Sequence, residues 1–208
     1  MSRLLILTGP QGSGNHLFSK CFAVHEDVFG WKSLLNTYWE GHHHEPFASA
    51  WTNPDELHSF DWTQSEFFVT SVSCPYFKDQ QPHIPFYERF IKVAEQYVDS
   101  IDVAIIGRDQ TILKHQQERV RGSHTTQLAI DHFNWLTENT ECKFLSQELL
   151  YLYKQKYLEQ ISRELDWPIA YWDPDIDTIL KEDANKKYIK EVHEYWLDFE
   201  VHRAIRES

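Results

Sequence analysis

The stretch LLILTGPQGSGNHLF, residues 4 to 18, constrains the fold of this chain more than any other. Residues 3 to 8 are apolar without alternation, the pattern of a strand buried on both faces. Three of the seven glycines, Gly9, Gly12 and Gly14, follow within six positions. Residues 15 to 25 then place Leu17, Phe18, Cys21 and Phe22 on one helical face. Strand, glycine turn and helix in that order are the setting in which a backbone loop holds phosphate. Inward-pointing N–H groups and the partial positive charge of a helix N-terminus supply the attraction, and both come from glycines and geometry.

Measured against the pattern G-x-x-x-x-G-K-[ST], the chain has Asn15 at the lysine position and His16 at the hydroxyl position. The first change removes the cation that serves the β and γ oxygens of a triphosphate. The second removes the usual first ligand of Mg²⁺, for which imidazole is a poor replacement. No strand ends in the aspartate that normally helps to hold the ion, since Asp109 lies beyond Gly107 and Arg108. The loop therefore suits a donor held through a single 5′ phosphate-containing group, with no metal expected, and argues against ATP or GTP hydrolysis.

The rest of the chain repeats the alternation of strand and helix. Residues 66 to 73, 102 to 107 and 142 to 146 read as strands, and 168 to 172 (PIAYW) as a possible fifth. Helices are expected at 84 to 98, 109 to 120, 126 to 138, 147 to 165, 174 to 181 and 185 to 205. Residues 26 to 62, rich in Trp and His, carry little periodicity and read as an irregular insertion in one domain spanning 1 to 208. The expected fold is a three-layer α/β/α domain with a mostly parallel sheet. Ligands then belong at the carboxyl ends of the strands, where Gly9 to His16, Ser71 to Pro75, Arg108 and Ser146 would gather.

Composition narrows the partners. A net charge of −12 disfavours nucleic acid and acidic membrane surfaces, so an anionic ligand must be held by a local site. The three cysteines, Cys21, Cys74 and Cys142, form no zinc pattern and suit a reducing compartment. With no leader pattern and no apolar run long enough to span a bilayer, a cytoplasmic location is expected.

Three segments resemble the sulfotransferases that use 3′-phosphoadenosine 5′-phosphosulfate (PAPS). Ser13-Gly14-Asn15-His16 is similar to that family's Ser-Gly-Thr-Thr loop, VAIIGRDQTILKHQQ (103 to 117) to its 3′-phosphate segment, and FLSQELLYLYKQKYLEQISRELDWPI (144 to 169) to its later strand and long helix. The resemblance implies PAPS bound by Gly9, Gln11, Gly12, Ser13, Gly14, Asn15 and His16, with Arg108 and Gln116 at the 3′-phosphate; apart from the resemblance, Arg121, following a helix, is read as adding positive charge there. It implies sulfuryl transfer to a small-molecule or carbohydrate acceptor through a hydroxyl or amine. The family's loop cation falls near Gly12, its 3′-phosphate serine near Gln116, and its catalytic histidine near Ser73, ahead of Cys74-Pro75. Catalytic roles therefore rest on His16, as a replacement cation, and on Ser73.

Each of these residues has a plainer use. His16 is a helix residue that faces either a phosphate or solvent. Arg108 either clamps phosphate with its planar fork or pairs with Asp109 or Glu118. His42, His43 and His44 with Glu45 or His58 make either a solvated loop, a zinc site or a source of general base. Lys186 and Lys187, with Arg119 and Arg121, either add charge to the site or form solvated faces. Trp31, Trp39, Trp51 and Trp62 either stack on a base, line an acceptor pocket or pack the core. Two other classes stay open beside the sulfotransferase: a nucleotide or nucleoside kinase-like phosphotransferase, and a non-catalytic nucleotide-binding or assembly protein.

Overall fold

The computed structural model describes residues 1–31, 45–78, 81–121 and 125–181, with the side chains of 78 and 119–121 outside the description. Five parallel strands form the central sheet: β1 (Arg3–Gly9), β2 (Val28–Phe29), β3 (Phe67–Ser73), β6 (Ser100–Gly107) and β7 (Cys142–Ser146). Their order is β2-β3-β1-β6-β7. A separate antiparallel hairpin, β4 (Tyr76–Lys78) with β5 (Gln81–His83), follows β3.

Helices cover both faces, which makes the fold three-layered α/β/α. One core joins Leu4, Ile6, Phe68, Val72, Val103 and Ile105 of the sheet to α2 (Tyr87–Ala94) and α4 (Thr126–Asn139). The other joins Leu5, Leu7, Val69, Ala104, Ile106 and Leu145 to α1 (Asn15–Ala23), α6 (Gln155–Leu165) and α7 (Pro174–Lys181). Successive residues of each central strand thus enter opposite cores, and this is why those strands are apolar without alternation.

Two sequence expectations change. The segment 168 to 172 is not a strand: Trp167 and Asp173 donate their N–H groups to Ser162 and Ala170, and the chain turns into α7. Pro168 has no N–H with which to extend a ladder. The fifth strand is instead the two-residue β2 at the opposite edge. The single helix expected over 147 to 165 is two, α5 (Gln147–Tyr153) and α6, broken at Lys154, which has φ +50°. The helix expected over 185 to 205 lies outside the described residues.

The Trp-rich segment contributes core. Two 3₁₀ turns, Ser49–Trp51 and Pro54–Ser59, carry Trp51 and Leu57 inward, and Trp31 and Trp62 are also buried. Trp39 lies outside the described residues. Trp51 stacks on Phe90 with centroids 3.8 Å apart, and its Nε1 donates to Thr70 Oγ1 at 3.1 Å. Beyond the end of β2, the Ser71 N–H is taken up by the Glu45 carboxylate, which also accepts from Thr70 Oγ1 at 3.0 Å.

Two outcomes follow. Trp51→Ala is expected to lower unfolding free energy by about 3–5 kcal/mol, the range for an emptied aromatic core site, measured by urea titration. Burial pushes the Glu45 carboxyl from 4.5 up to about 8, outweighing the hydrogen bonds from Ser71 and Thr70. Its folded value lies above its unfolded one, so this contribution to stability is complete below about pH 4.5 and is lost as pH rises through about 8. Glu45→Gln keeps an acceptor for Ser71 and removes the titration. Its urea midpoint should gain on the unsubstituted protein steadily between those two pH values and no further above them.

Candidate functional site

The turn from β1 into α1 is fixed by what the glycines leave out. A Cβ on Gly9 would lie 2.4 Å from Ser13 Oγ and 2.5 Å from the Ile106 carbonyl, so no side chain fits. Gly12 and Gly14 have φ of +89° and +98°, where side chains are strained. The Gln116 amide packs on Gly12, and the Gln147 amide lies 3.1 Å from where a Cβ on Gly14 would stand. Gly14 is the N-cap of α1 and receives no side-chain cap.

Burial alternates along the loop. Gln11, Ser13 and Asn15 are buried, while Gly12, Gly14 and His16 are partly open. Asn15 does not reach outward in place of a lysine. Its Nδ2 donates to the Gly9 carbonyl (3.2 Å), the Val72 carbonyl (3.4 Å) and Ser73 Oγ (3.1 Å), and its Oδ1 accepts from Ser13 Oγ at 3.0 Å. It stitches the end of β1 to the end of β3, whose register pairs Gly9 with Ser73. The Cys74 N–H, ahead of the cis Cys74–Pro75 bond, adds a further tie to the Gly9 carbonyl at 3.0 Å.

The other side of the loop is held from α3 (Gln110–Arg121) and the end of β6. Arg108 Nη1 donates to the Gly12 carbonyl at 2.7 Å and to Gln116 Oε1 at 2.8 Å. Gln117 Nε2 donates to the Gln11 carbonyl at 2.8 Å. Ser13 N–H returns to the Pro10 carbonyl at 3.0 Å. Among the described residues, the N–H groups of Gly12, Gly14 and Asn15 have no acceptor. The loop thus has backbone donors without an acceptor at the N-terminus of α1, while the carbonyls of Gly9, Pro10, Gln11 and Gly12 are taken up.

Gly9 to His16, Ser73, Arg108, Gln116 and Ser146 meet at one edge, as the strand ends require. Arg108 is engaged with the loop itself, and Asp109 caps α3 by accepting from the Ile112 N–H at 2.9 Å. His16 packs edge-on against Trp31, with centroids 5.0 Å apart. Arg121 is the last residue of α3, and its side chain lies outside the description, as does that of Arg119. His42, His43, His44, Lys186 and Lys187 lie outside the described residues. Glu45 is held at β3, whereas His58 Nδ1 pairs with the Tyr97 hydroxyl at 2.7 Å. Among the described residues no three His, Cys, Asp or Glu side chains are grouped to hold a metal ion. Nor is any described helix long and apolar enough to cross a membrane.

Gln117 and Gln147, which hold or pack on the loop, are the residues that sequence reading missed. Each stands in a helix where a glutamine carries no signal, and its partner lies far away along the chain. Cys21 and Cys74 are not nucleophiles at neutral pH, because burial pushes both thiols up to about 12. In comparisons with known proteins, no family model and no curated protein matches the chain.

Gly14→Ala places a β-carbon at a left-handed position against Gln147. It is expected to cost about 1–3 kcal/mol of stability in denaturant titration. Gly9→Ala, which meets a backbone carbonyl, should cost more.

Proposed function

We propose that the chain is a sulfotransferase-like P-loop protein that binds PAPS through the loop from Gly9 to His16. In this reading it transfers the sulfuryl group to an acceptor hydroxyl or amine of a small molecule or carbohydrate. The observation that carries the reading is the state of the loop: left-handed glycines at the end of a parallel strand, carbonyls tied back, and backbone donors without an acceptor among the described residues. Such a cradle attracts an anion through backbone N–H groups and the helix terminus, without a lysine. Asn15, neutral and spent on Gly9 and Ser73, gives a triphosphate no cation, which supports a donor with one 5′ phosphate-containing group over ATP.

In the transfer, the bond from the acceptor atom to sulfur forms as the bond from sulfur to the 5′-phosphate oxygen breaks. The acceptor proton leaves to a base. The donors at Gly12, Gly14 and Asn15 stabilise the charge that grows on the departing phosphate oxygen. In this reading His16, in the first turn of α1, and Ser73, at the end of β3 beside Asn15, serve the acceptor side.

A second reading, a nucleotide-binding protein without turnover, takes its support from Asn15 and Arg108, which both hold loop atoms. The two readings share the donor site and differ in whether sulfuryl moves from labelled PAPS to a panel of phenols, amines and sugars.

The binding test is a thermal-shift series. Adenosine 3′,5′-bisphosphate at about a hundredfold excess over its Kd is expected to raise Tm by about 5–10 °C without added Mg²⁺. ATP with Mg²⁺ should give a smaller shift. A larger shift with ATP-Mg²⁺ than with the bisphosphate overturns the reading.

A further inference from the structure

We infer that Gln117 is a positioning residue that, together with Arg108, sets the direction of the glycine loop's N–H groups and thereby its hold on a 5′-phosphate. The inference rests on the anion-loop reading above and goes beyond it to a residue on another helix.

A planar trans peptide points its N–H opposite to its carbonyl. The Gln11 carbonyl is held by Gln117 Nε2 at 2.8 Å, and the Gly12 carbonyl by Arg108 Nη1 at 2.7 Å. The N–H of Gly12 therefore turns away from Gln117, and that of Ser13 away from Arg108. That of Ser13 closes the turn on Pro10, and that of Gly12 has no acceptor among the described residues. A peptide beside glycine is the easiest kind to flip, because glycine occupies both halves of φ space. Gly12, at φ +89°, is such a position, so its orientation needs an external hold.

Gln117 supplies a hold that cannot invert. Its side chain is buried, and its Oε1 accepts from the Thr125 N–H at 2.8 Å while Nε2 donates to Gln11. Flipping the amide would set oxygen against oxygen and N–H against N–H. The same side chain ties the loop to the start of α4, since Thr125 is the N-cap of that helix.

Calorimetry with two ligands isolates the effect. Adenosine 3′,5′-bisphosphate and adenosine 3′-monophosphate differ only in the 5′-phosphate, so the ratio of their affinities reads the loop alone. Gln117→Met removes the donor to Gln11 without adding a charge beside the loop. It is expected to lower the ratio about tenfold, the loss for a buried carbonyl left unpaired, with 3′-monophosphate affinity within about twofold of the original. A folded Gln117→Met protein with an unchanged ratio overturns the inference. A ratio of one in the unsubstituted protein overturns the anion-loop reading itself. A measurement without any substitution covers the case in which the variant does not fold. The Gly12 amide proton should be protected from exchange by the bisphosphate and not by the 3′-monophosphate. Binding of the bisphosphate without that protection overturns the inference.

Discussion

The carboxyl edge of the sheet depends on the lack of a side chain at Gly9. The Ile106 carbonyl, Ser13 Oγ and Asn15 Oδ1 all crowd the place a β-carbon would take. This closeness lets the chain leave β1 and enter α1 in five residues, with the Gly9 carbonyl shared between the Asn15 amide and the Cys74 N–H. Strand β1 runs between β3 and β6, with one core on each face, so a shift at its end would propagate into both neighbours.

The fold was legible where burial on two faces leaves a mark. The strands β1, β3 and β6 were readable as short apolar runs, because both cores demand apolar residues from them; β7, at the edge, fully buries only Leu145 and was readable from its short run alone. Strand β2 was not, since two residues, Val28 and Phe29, carry no period. The break at Lys154 was hidden for a different reason: a lysine in the left-handed region gives no signal of the kind that glycine or proline gives. At the site, the glycines announced themselves through their density. The roles of Asn15 and Gln117 did not, because their partners are set by the order of the strands. Asn15 meets Ser73 across 58 positions, and Gln117 meets Gln11 across 106.

The same strand order explains what residue type alone left open. Asn15 occupies the position of a cation and serves as a cross-strand tie. Arg108 stands at the end of β6, where phosphate clamps occur, and braces the loop that would do the clamping. Trp51 and Trp62 stand in a segment without period and are nonetheless core, joined to α2 and to Tyr97 by aromatic stacking. In each case the charge or size of the side chain was legible and its direction was not.

Glu45 has a consequence for the edge of the sheet. Among the described residues, β2 pairs with only the first two residues of β3. Beyond that pairing the Ser71 N–H is engaged by the Glu45 carboxyl group, which also accepts from Thr70 Oγ1. A ladder donor that no described strand reaches is thereby satisfied by a side chain, within a stretch of β3 that is buried throughout. At that position an incoming strand would find no donor to pair with.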